Sequence, residues 1–154
     1  RDKAHRRIVS SCEDIPIDMR DLAVYHCGAI AKKENDEWKI LSAGPTTSYR
    51  LEGIEADFIK CTGVRMIIGK GGMGARTSKA CKDYGAVYCS FTGGASLVAA
   101  KSIAKVKDVF WLDMGMHEAI WIFEVKRFGP LIVSIDSEGN NLYEDIKRRA
   151  KIQG

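Results

Sequence analysis

Short apolar runs alternate with amphipathic segments along most of the chain. Runs typical of strands cover 22–27, 38–42, 64–68, 86–91, 109–112, 119–125 and 131–135. Helical spacing of apolar residues covers 3–12, 51–61, 75–83, 95–104 and 141–151. The polar stretch 32–37 is typical of a turn or hairpin loop. Short strands that alternate with helices predict an α/β fold, with a parallel or mixed sheet under helical cover.

The length of 154 residues predicts one domain over 1–154 with a substantial core. Hydrophobic residues make up 45% of the chain and charged residues 29%, as in an ordinary globular protein. Since the sequence starts at Arg1 rather than at methionine, we allow for a missing upstream strand.

The net charge of +4 is concentrated near the two ends, in 1–7 and 147–151. We interpret these clusters as solvated helix faces rather than a nucleic-acid stripe. No apolar run approaches the ~20 residues of a membrane span, and no signal peptide is apparent. The sequence therefore predicts no nucleic-acid or membrane partner and a cytoplasmic location.

Five cysteines occur without a CxxC pair, and their number is odd. This pattern argues against a disulfide framework and against a zinc site. We expect reduced, mostly buried thiols and no metal ligands in this chain. The cysteines are Cys12, Cys27, Cys61, Cys81 and Cys89.

A glycine-rich loop, Gly69-Lys70-Gly71-Gly72, follows an apolar strand. Its spacing matches neither the P-loop nor the dinucleotide fingerprint. Lys70 nevertheless ends a strand just before a helix, where open α/β sheets bind ligands and helix N–H groups favour an anion. The loop 92–94 repeats this arrangement after the next strand. An anion contact and an ordinary surface position both remain open for Lys70.

The segment 43–50, AGPTTSYR, presents three hydroxyls and a guanidinium directly after a turn. One interpretation is a helix capped by Thr46 or Thr47, with Arg50 exposed. The other is an anion pocket, because a guanidinium fork and hydroxyl donors match a carboxylate. Arg1, Arg50 and Lys70 together would suit a ligand with two carboxylates, although sequence spacing alone does not show that they converge.

Two histidines are candidates for the same region. His5 lies one helical turn after Arg1, and a role in orienting the site and a packing role both remain open. His26 falls inside an apolar strand, which predicts a hydrogen-bonded structural residue.

Six ordered motifs together resemble one family: the beta subunit, or C-terminal domain, of iron–sulfur-dependent class I fumarate hydratases and their tartrate dehydratase relatives. The motifs are RDKAH (1–5), AGPTTSYR (43–50), MIIGKGGM (66–73), GGASLV (93–98), DMGMHEAIW (113–121) and FGPLIVSIDSEGNNLY (128–143). The resemblance spans nearly the whole chain and implies a swivelling β/β/α domain.

The resemblance also implies a partner and a reaction. The partner would be an alpha subunit that holds a [4Fe–4S] cluster, in an assembly of two alpha and two beta chains. The family reaction is the reversible hydration of fumarate to L-malate, or the dehydration of tartrate.

By the same resemblance, Thr46 is the catalytic residue, polarised by an aspartate of the alpha subunit. Arg1, Arg50 and Lys70 would bind the substrate. Leu51-Glu52 and Asp113-Met114 depart from the usual family residues, so fumarate and tartrate both stay open. A stand-alone module that binds small anions is the alternative from a different class of function.

Overall fold

The computed structural model describes residues 2–152, in which helices and strands follow the alternating pattern of the sequence. The helices are α1 (Asp2–Ser11), α2 (Glu55–Thr62), α3 (Ala75–Tyr84), α4 (Ser96–Ser102) and α5 (Leu142–Ile152). The strands are β1 (Ala23–Tyr25), β2 (Ile30–Glu34), β3 (Glu37–Ser42), β4 (Met66–Gly69), β5 (Val87–Ser90), β6 (Ile103–Phe110), β7 (Ile120–Val125) and β8 (Ile132–Ile135). Short 3₁₀ turns occupy Ser48–Leu51 and Leu112–Met114.

The central sheet has four strands in the order β1-β4-β5-β8. β1, β4 and β5 run parallel, and β8 pairs antiparallel with β5. Two antiparallel hairpins, β2–β3 and β6–β7, form the remaining pairs. They approach each other where the rings of Trp38 and Trp121 meet edge to face, 5.2 Å apart. The predicted α/β class with a mixed sheet is confirmed.

The core has two parts because neighbouring residues of a strand point to opposite faces of the sheet. On one face Ile67 packs with Phe58 and Ile59 of α2 and with Ile8 of α1. On the other face Ile68 packs in a smaller cluster that includes Ala43, Cys89, Phe91 and Ala99. The second cluster anchors the chain just after β3, because Ala43 is completely buried there.

Glycines end the two helices that flank β4. Gly63 follows α2 with φ 67° and Gly85 follows α3 with φ 66°. This left-handed conformation suits glycine and closes the last turn of a helix, so the predicted stop at Gly85 is confirmed. Within residues 2–152, no helix has the length and apolar character that a bilayer span requires.

Three predicted boundaries of helices and strands are wrong. The predicted helix 51–61 begins only at Glu55, because 48–51 form a 3₁₀ turn. β2 lies partly inside the predicted loop 32–37, and its residues are mostly exposed and charged. β6 starts at Ile103, directly after α4, whereas its predicted strand began at Val109. Polar residues on the open side of a hairpin leave little apolar signal.

The cysteines differ from the prediction in one pair. Cys12 and Cys61 form a disulfide, since the ends of α1 and α2 lie side by side with a Cα–Cα distance of 5.3 Å. The other three form no disulfide among the described residues, and Cys81 and Cys89 are buried as expected. Burial raises the pKa of Cys81 to about 12 and also raises the pKa of Cys89, so both are poor nucleophiles near neutral pH.

Candidate active site

The segment after β3 crosses the carboxyl ends of two parallel strands. Pro45 forms a bridge with Cys27, just beyond β1. The Thr46 N–H donates to the His26 carbonyl at 2.6 Å, and Thr47 pairs in parallel with Lys70, the residue after β4. The segment is therefore fixed by backbone hydrogen bonds to the edge of the sheet where ligands of α/β proteins commonly bind.

Thr46 and Lys70 are brought together at this edge. The Lys70 N–H donates to the Thr46 carbonyl at 3.4 Å, and the Ser48 N–H donates to the Lys70 carbonyl at 2.9 Å. Both Thr46 and Lys70 are half-buried. Thr46 and Lys70, which are both candidates from the sequence, are thus part of one ladder of backbone hydrogen bonds, although they lie far apart in the sequence.

The Lys70 side chain extends toward the loop that follows β5. A Cβ added to Gly93 would lie 3.7 Å from Lys70 Cδ and 3.9 Å from Nζ. Lys70 therefore lies between the glycine loops of two adjacent parallel strands. This is the position predicted for it at the sheet edge.

Arg50 is exposed and lies in the 3₁₀ turn that follows Thr47. Its Nη2 donates to Asp2 Oδ2 at 2.6 Å. The contact ties the turn to the start of α1. Arg1 itself lies outside the described residues, so its predicted role in substrate binding stays a prediction.

The structure confirms the exposure of Arg50 and places Thr47 at an N-cap position, but without the expected capping hydrogen bond. Thr47 occupies the N-cap position of the 3₁₀ turn, yet its hydroxyl makes no capping hydrogen bond. Its methyl group instead faces the glycine loop, where a Cβ on Gly71 would lie 3.2 Å from Thr47 Cγ2. Gly71 also has φ +78°, a conformation that other residues rarely adopt.

The start of α3 binds an anion, as predicted, but the anion belongs to the chain itself. Glu52 accepts from the Gly74 N–H at 2.7 Å, from the Arg76 N–H at 3.0 Å and from the Thr77 hydroxyl at 2.7 Å. A carboxylate at this point satisfies N–H groups that the helix leaves open. Glu52 therefore occupies these three donors at the start of the helix.

A buried polar cluster lies beneath the segment. His26 Nδ1 is 2.9 Å from the Ser48 hydroxyl, and His26 Nε2 is 3.5 Å from Glu55 Oε2. His5 Nε2 is 3.8 Å from the same oxygen, and its ring stacks on Phe58 at 4.1 Å. The prediction that His26 is a hydrogen-bonded structural residue is confirmed, and His5 proves to be a packed residue of this cluster.

Glu55 is completely buried, and its pKa is set by opposing effects. Burial disfavours the carboxylate, but the His26 and His5 imidazoles outweigh burial and lower the pKa below its ordinary value. Sequence reasoning missed this residue. The signal was available, since Glu55 shares a helical face with the buried residues Phe58, Ile59 and Thr62.

An iron–sulfur cluster requires thiolate ligands. Within residues 2–152, one group of three or more candidate metal ligands has donor atoms within 4.8 Å of one another, and it consists of His5, His26 and Glu55. This donor set has no thiol and does not fit such a cluster.

Two depressions on the described surface lie away from the segment 43–50. One is lined by residues of α3 and the start of α5, and the other by residues of α2 and α3. Neither includes Thr46, Arg50 or Lys70. Of the candidate residues, Thr46 and Lys70 are half-buried and Arg50 is exposed, so these two depressions do not locate the site.

Comparison with known proteins finds relatives that match nearly the whole chain. The L(+)-tartrate dehydratase subunit beta of Escherichia coli K12 is 43% identical over 148 residues, which are 96% of this chain and 74% of the relative. A Methanocaldococcus jannaschii protein, provisionally given the same name, is 45% identical over 153 residues, covering 97% and 78% of the two chains. A Geobacillus stearothermophilus protein, provisionally named fumarate hydratase class I, is 42% identical over 149 residues, which are 96% of this chain but 28% of the relative. The model of the Fumarase C-terminus family matches residues 1–146, and the chain belongs to that family.

Proposed function

We propose that this chain is the beta subunit of a hydro-lyase and that it completes a site for a four-carbon dicarboxylate. The proposed reaction is the reversible hydration of fumarate to L-malate. The observation that carries the proposal is the backbone ladder between Thr46–Ser48 and Lys70, found in a member of the Fumarase C-terminus family. It brings a hydroxyl-bearing and a cationic residue to one edge of the sheet.

In the proposed site, the cations bind the two carboxylates of the substrate. Arg50 offers a planar fork of donors, and Lys70 offers an ammonium group at the sheet edge. Removing a proton from the carbon next to a carboxylate leaves negative charge on that carboxylate. Fixed cationic donors stabilise this charge best when water is excluded, and a partner covering the sheet edge would exclude it. Arg1 is a further candidate for the same task.

Thr46 is the proposed base in the direction of dehydration. The carbon-bound proton passes to its oxygen while the threonine proton passes to a carboxylate of the partner. The substrate hydroxyl leaves and becomes water by taking up the proton that the partner's carboxylate has received, which regenerates the carboxylate, and the C=C bond of fumarate forms. Threonine is a weak base unless a neighbour polarises or ionises it, so we expect this chain to be inactive alone.

The partner in this proposal is an alpha subunit that holds the [4Fe–4S] cluster. Two observations support it: the described residues have no thiol set that fits a cluster, and the candidate residues Thr46, Lys70 and Arg50 are half-buried or exposed at the edge of the sheet. The relative from E. coli is itself named as a subunit beta. We propose two alpha and two beta chains, in the cytoplasm.

The test is anaerobic reconstitution of this chain with its cluster-bearing partner. We expect the mixture to hydrate fumarate, followed as loss of the fumarate absorbance, and each chain alone to be inactive. Fumarate turnover by this chain alone would contradict the proposal. Tight binding of a dicarboxylate without the partner, with no turnover in the mixture, would favour a stand-alone anion-binding module.

Dehydration of L-tartrate is the second candidate reaction. The names of the relatives from E. coli and M. jannaschii favour it. Tartrate carries one hydroxyl more than malate, and a site built to hydrogen-bond that group would reject malate by about 10⁴-fold or more. The ratio of kcat/KM for L-tartrate and L-malate, measured with one reconstituted preparation, distinguishes the two.

A further inference from the structure

The carboxylate of Glu55 lies in the core beneath the proposed site without a hydrogen bond. Glu55 is completely buried, and neither carboxylate oxygen has a hydrogen-bond partner. Two imidazole nitrogens face it, with His26 Nε2 at 3.5 Å and His5 Nε2 at 3.8 Å from Glu55 Oε2. A buried charge is expensive unless it is paired, and apolar residues would pack such a space more favourably. The arrangement therefore calls for a role beyond stability.

The cluster is connected to the proposed site through His26. The ring contacts the Ser48 hydroxyl at 2.9 Å through Nδ1, on the side opposite the nitrogen that faces Glu55. The His26 carbonyl accepts the Thr46 N–H at 2.6 Å, and the Ser48 N–H donates to the Lys70 carbonyl at 2.9 Å. One residue thus contacts Glu55 with its side chain and Thr46 with its backbone.

Gly69 shows how closely this cluster approaches the end of β4. A Cβ at Gly69 would lie 1.9 Å from Ser48 Oγ and 3.3 Å from His26 Nδ1. A distance of 1.9 Å is far shorter than van der Waals contact, so the contact between Ser48 and His26 requires glycine at position 69. The Ser48–His26 contact therefore lies directly against the residue that precedes Lys70.

We propose that Glu55 is a positioning residue: it holds the His26 ring and, through it, fixes Thr46 and Lys70 at the spacing that catalysis needs. The inference rests on the proposed function of these two residues. Glu55 would touch neither substrate nor reacting atoms.

The lowered pKa of Glu55 supports this role, because it keeps the carboxylate ionised at neutral pH. Burial acts against the charged form, yet the His26 and His5 imidazoles lower the pKa of Glu55. A carboxyl whose pKa is depressed on folding stabilises the protein above its ordinary pKa, and loses that contribution as pH falls through the folded value. Burial raises the pKa of both Cys81 and Tyr88 to about 12, so these other titratable neighbours stay neutral.

A bound cation is the competing interpretation of the same cluster. Structural zinc sites normally have four protein ligands, whereas this group supplies three. His26 also directs its second nitrogen to Ser48, which an imidazole does under either interpretation. The number of ligands favours the cluster without a metal, and metal content becomes an outcome of the test.

The first test is Glu55→Gln in the reconstituted complex, because glutamine keeps the shape and removes the charge. We expect kcat to fall about 10- to 100-fold, as for a small misplacement of catalytic groups, while KM changes less than about threefold. Asp57→Asn is the matched control, on the same helix but exposed, and should retain wild-type kcat. An unchanged kcat in Glu55→Gln would overturn the proposal.

The second test, amide hydrogen exchange on this chain, does not depend on turnover. In Glu55→Gln we expect the Thr46 and Ser48 amides to exchange at least about tenfold faster, since their hydrogen bonds depend on His26 and its neighbours. The exchange rate of the Ala99 amide in α4, which donates a hydrogen bond to the Ala95 carbonyl, should be unchanged. Equal acceleration at all three amides would mean general loosening and would overturn the proposal. If the complex hydrates no dicarboxylate, the proposed function fails. The amide exchange rates still show whether Glu55 fixes Thr46 and Ser48.

Two further measurements keep the inference testable. If Glu55→Gln does not fold, Ser48→Ala removes only the hydroxyl that contacts His26 and should give the same selective exchange and kcat loss. Elemental analysis of the complex addresses the cation. One equivalent of a divalent metal per chain, absent from Glu55→Gln and present in Asp57→Asn, would overturn the proposal in favour of a metal site.

Discussion

The segment 45–51 has two sides that differ in what they contact. Thr46 is half-buried, whereas Thr47 and Arg50 are exposed; Thr47 faces the glycine loop and Arg50 contacts the start of α1. Ser48 and Leu51 are 0% and 2% exposed, and Ser48 contacts the buried His26. A few consecutive residues therefore carry both the proposed chemistry and its anchor. Changes on the outer side should alter turnover alone, whereas changes on the inner side should also alter stability.

The largest expected effect is on the outer side, at Thr46. Thr46→Ala should reduce kcat of the reconstituted enzyme about 100- to 10,000-fold, because it removes the proposed base. The melting temperature and the assembly with the partner should be unchanged. Thr47→Ala is the matched control, since it removes the neighbouring hydroxyl. Equal kcat values for the two variants would refute the assignment of Thr46.

Arg50 tests the outer side by geometry rather than by charge. Arg50→Lys keeps the cation but loses the fork, so kcat/KM should fall about 10- to 100-fold, the equivalent of one hydrogen bond to a charged group. Arg65→Lys is the control, at an exposed arginine that pairs with Asp21 at 3.0 Å. If both variants retained wild-type kcat/KM, Arg50 would have no role in binding the substrate.

Gly69 tests the inner side. Gly69→Ala places a methyl group 1.9 Å from Ser48 Oγ, and such overpacking should lower the free energy of unfolding by about 1–3 kcal/mol. Gly53→Ala is the control, because no atom lies within 4 Å of its Cβ position. It should be neutral or stabilising by up to about 1 kcal/mol. Urea unfolding measures both, and equal values would show that the Ser48–His26 contact does not restrict Gly69.

The smallest expected effect is at Glu52, the residue that follows the segment 45–51. Glu52→Gln keeps an acceptor but removes the charge at the start of α3, so unfolding should become about 1 kcal/mol easier. Glu34→Gln, at an exposed residue 3.0 Å from Lys32, should change the free energy of unfolding by less than about 0.5 kcal/mol. A neutral Glu52→Gln would mean that the N–H groups of α3 are as well satisfied by water.

The fold could be predicted where burial leaves an apolar signal. β4 and β5 are covered on both faces and appear in the sequence as short apolar runs. β2 and the first part of β6 consist largely of exposed, charged residues, and propensity alone did not identify them. The Cys12–Cys61 pair was missed because it depends on how α1 packs against α2, which no local pattern reveals.

The site divides in the same way. Lys70 at the sheet edge follows from a general rule of α/β folds, and its position there was predicted. Its pairing with Thr47 joins distant segments, so only the resemblance to a family suggested that they meet. Glu52 and Glu55 were missed because acidic residues in a helical stretch are usually solvated. The roles of Thr46, Arg50 and Lys70 stay predictions until the reconstituted enzyme is measured.

The wide sequence separation of the contacts around the segment has a consequence for how the molecule acquires its structure. Ser48 and His26 are 22 residues apart, and Arg50 and Asp2 are 48 apart, whereas β6 and β7 are neighbours in the chain. Non-local pairs must close large loops before any stabilisation is gained, which slows their formation. In refolding experiments with pulse labelling, the amides of Thr46 and Ser48 should therefore gain protection after those of the β6–β7 hairpin.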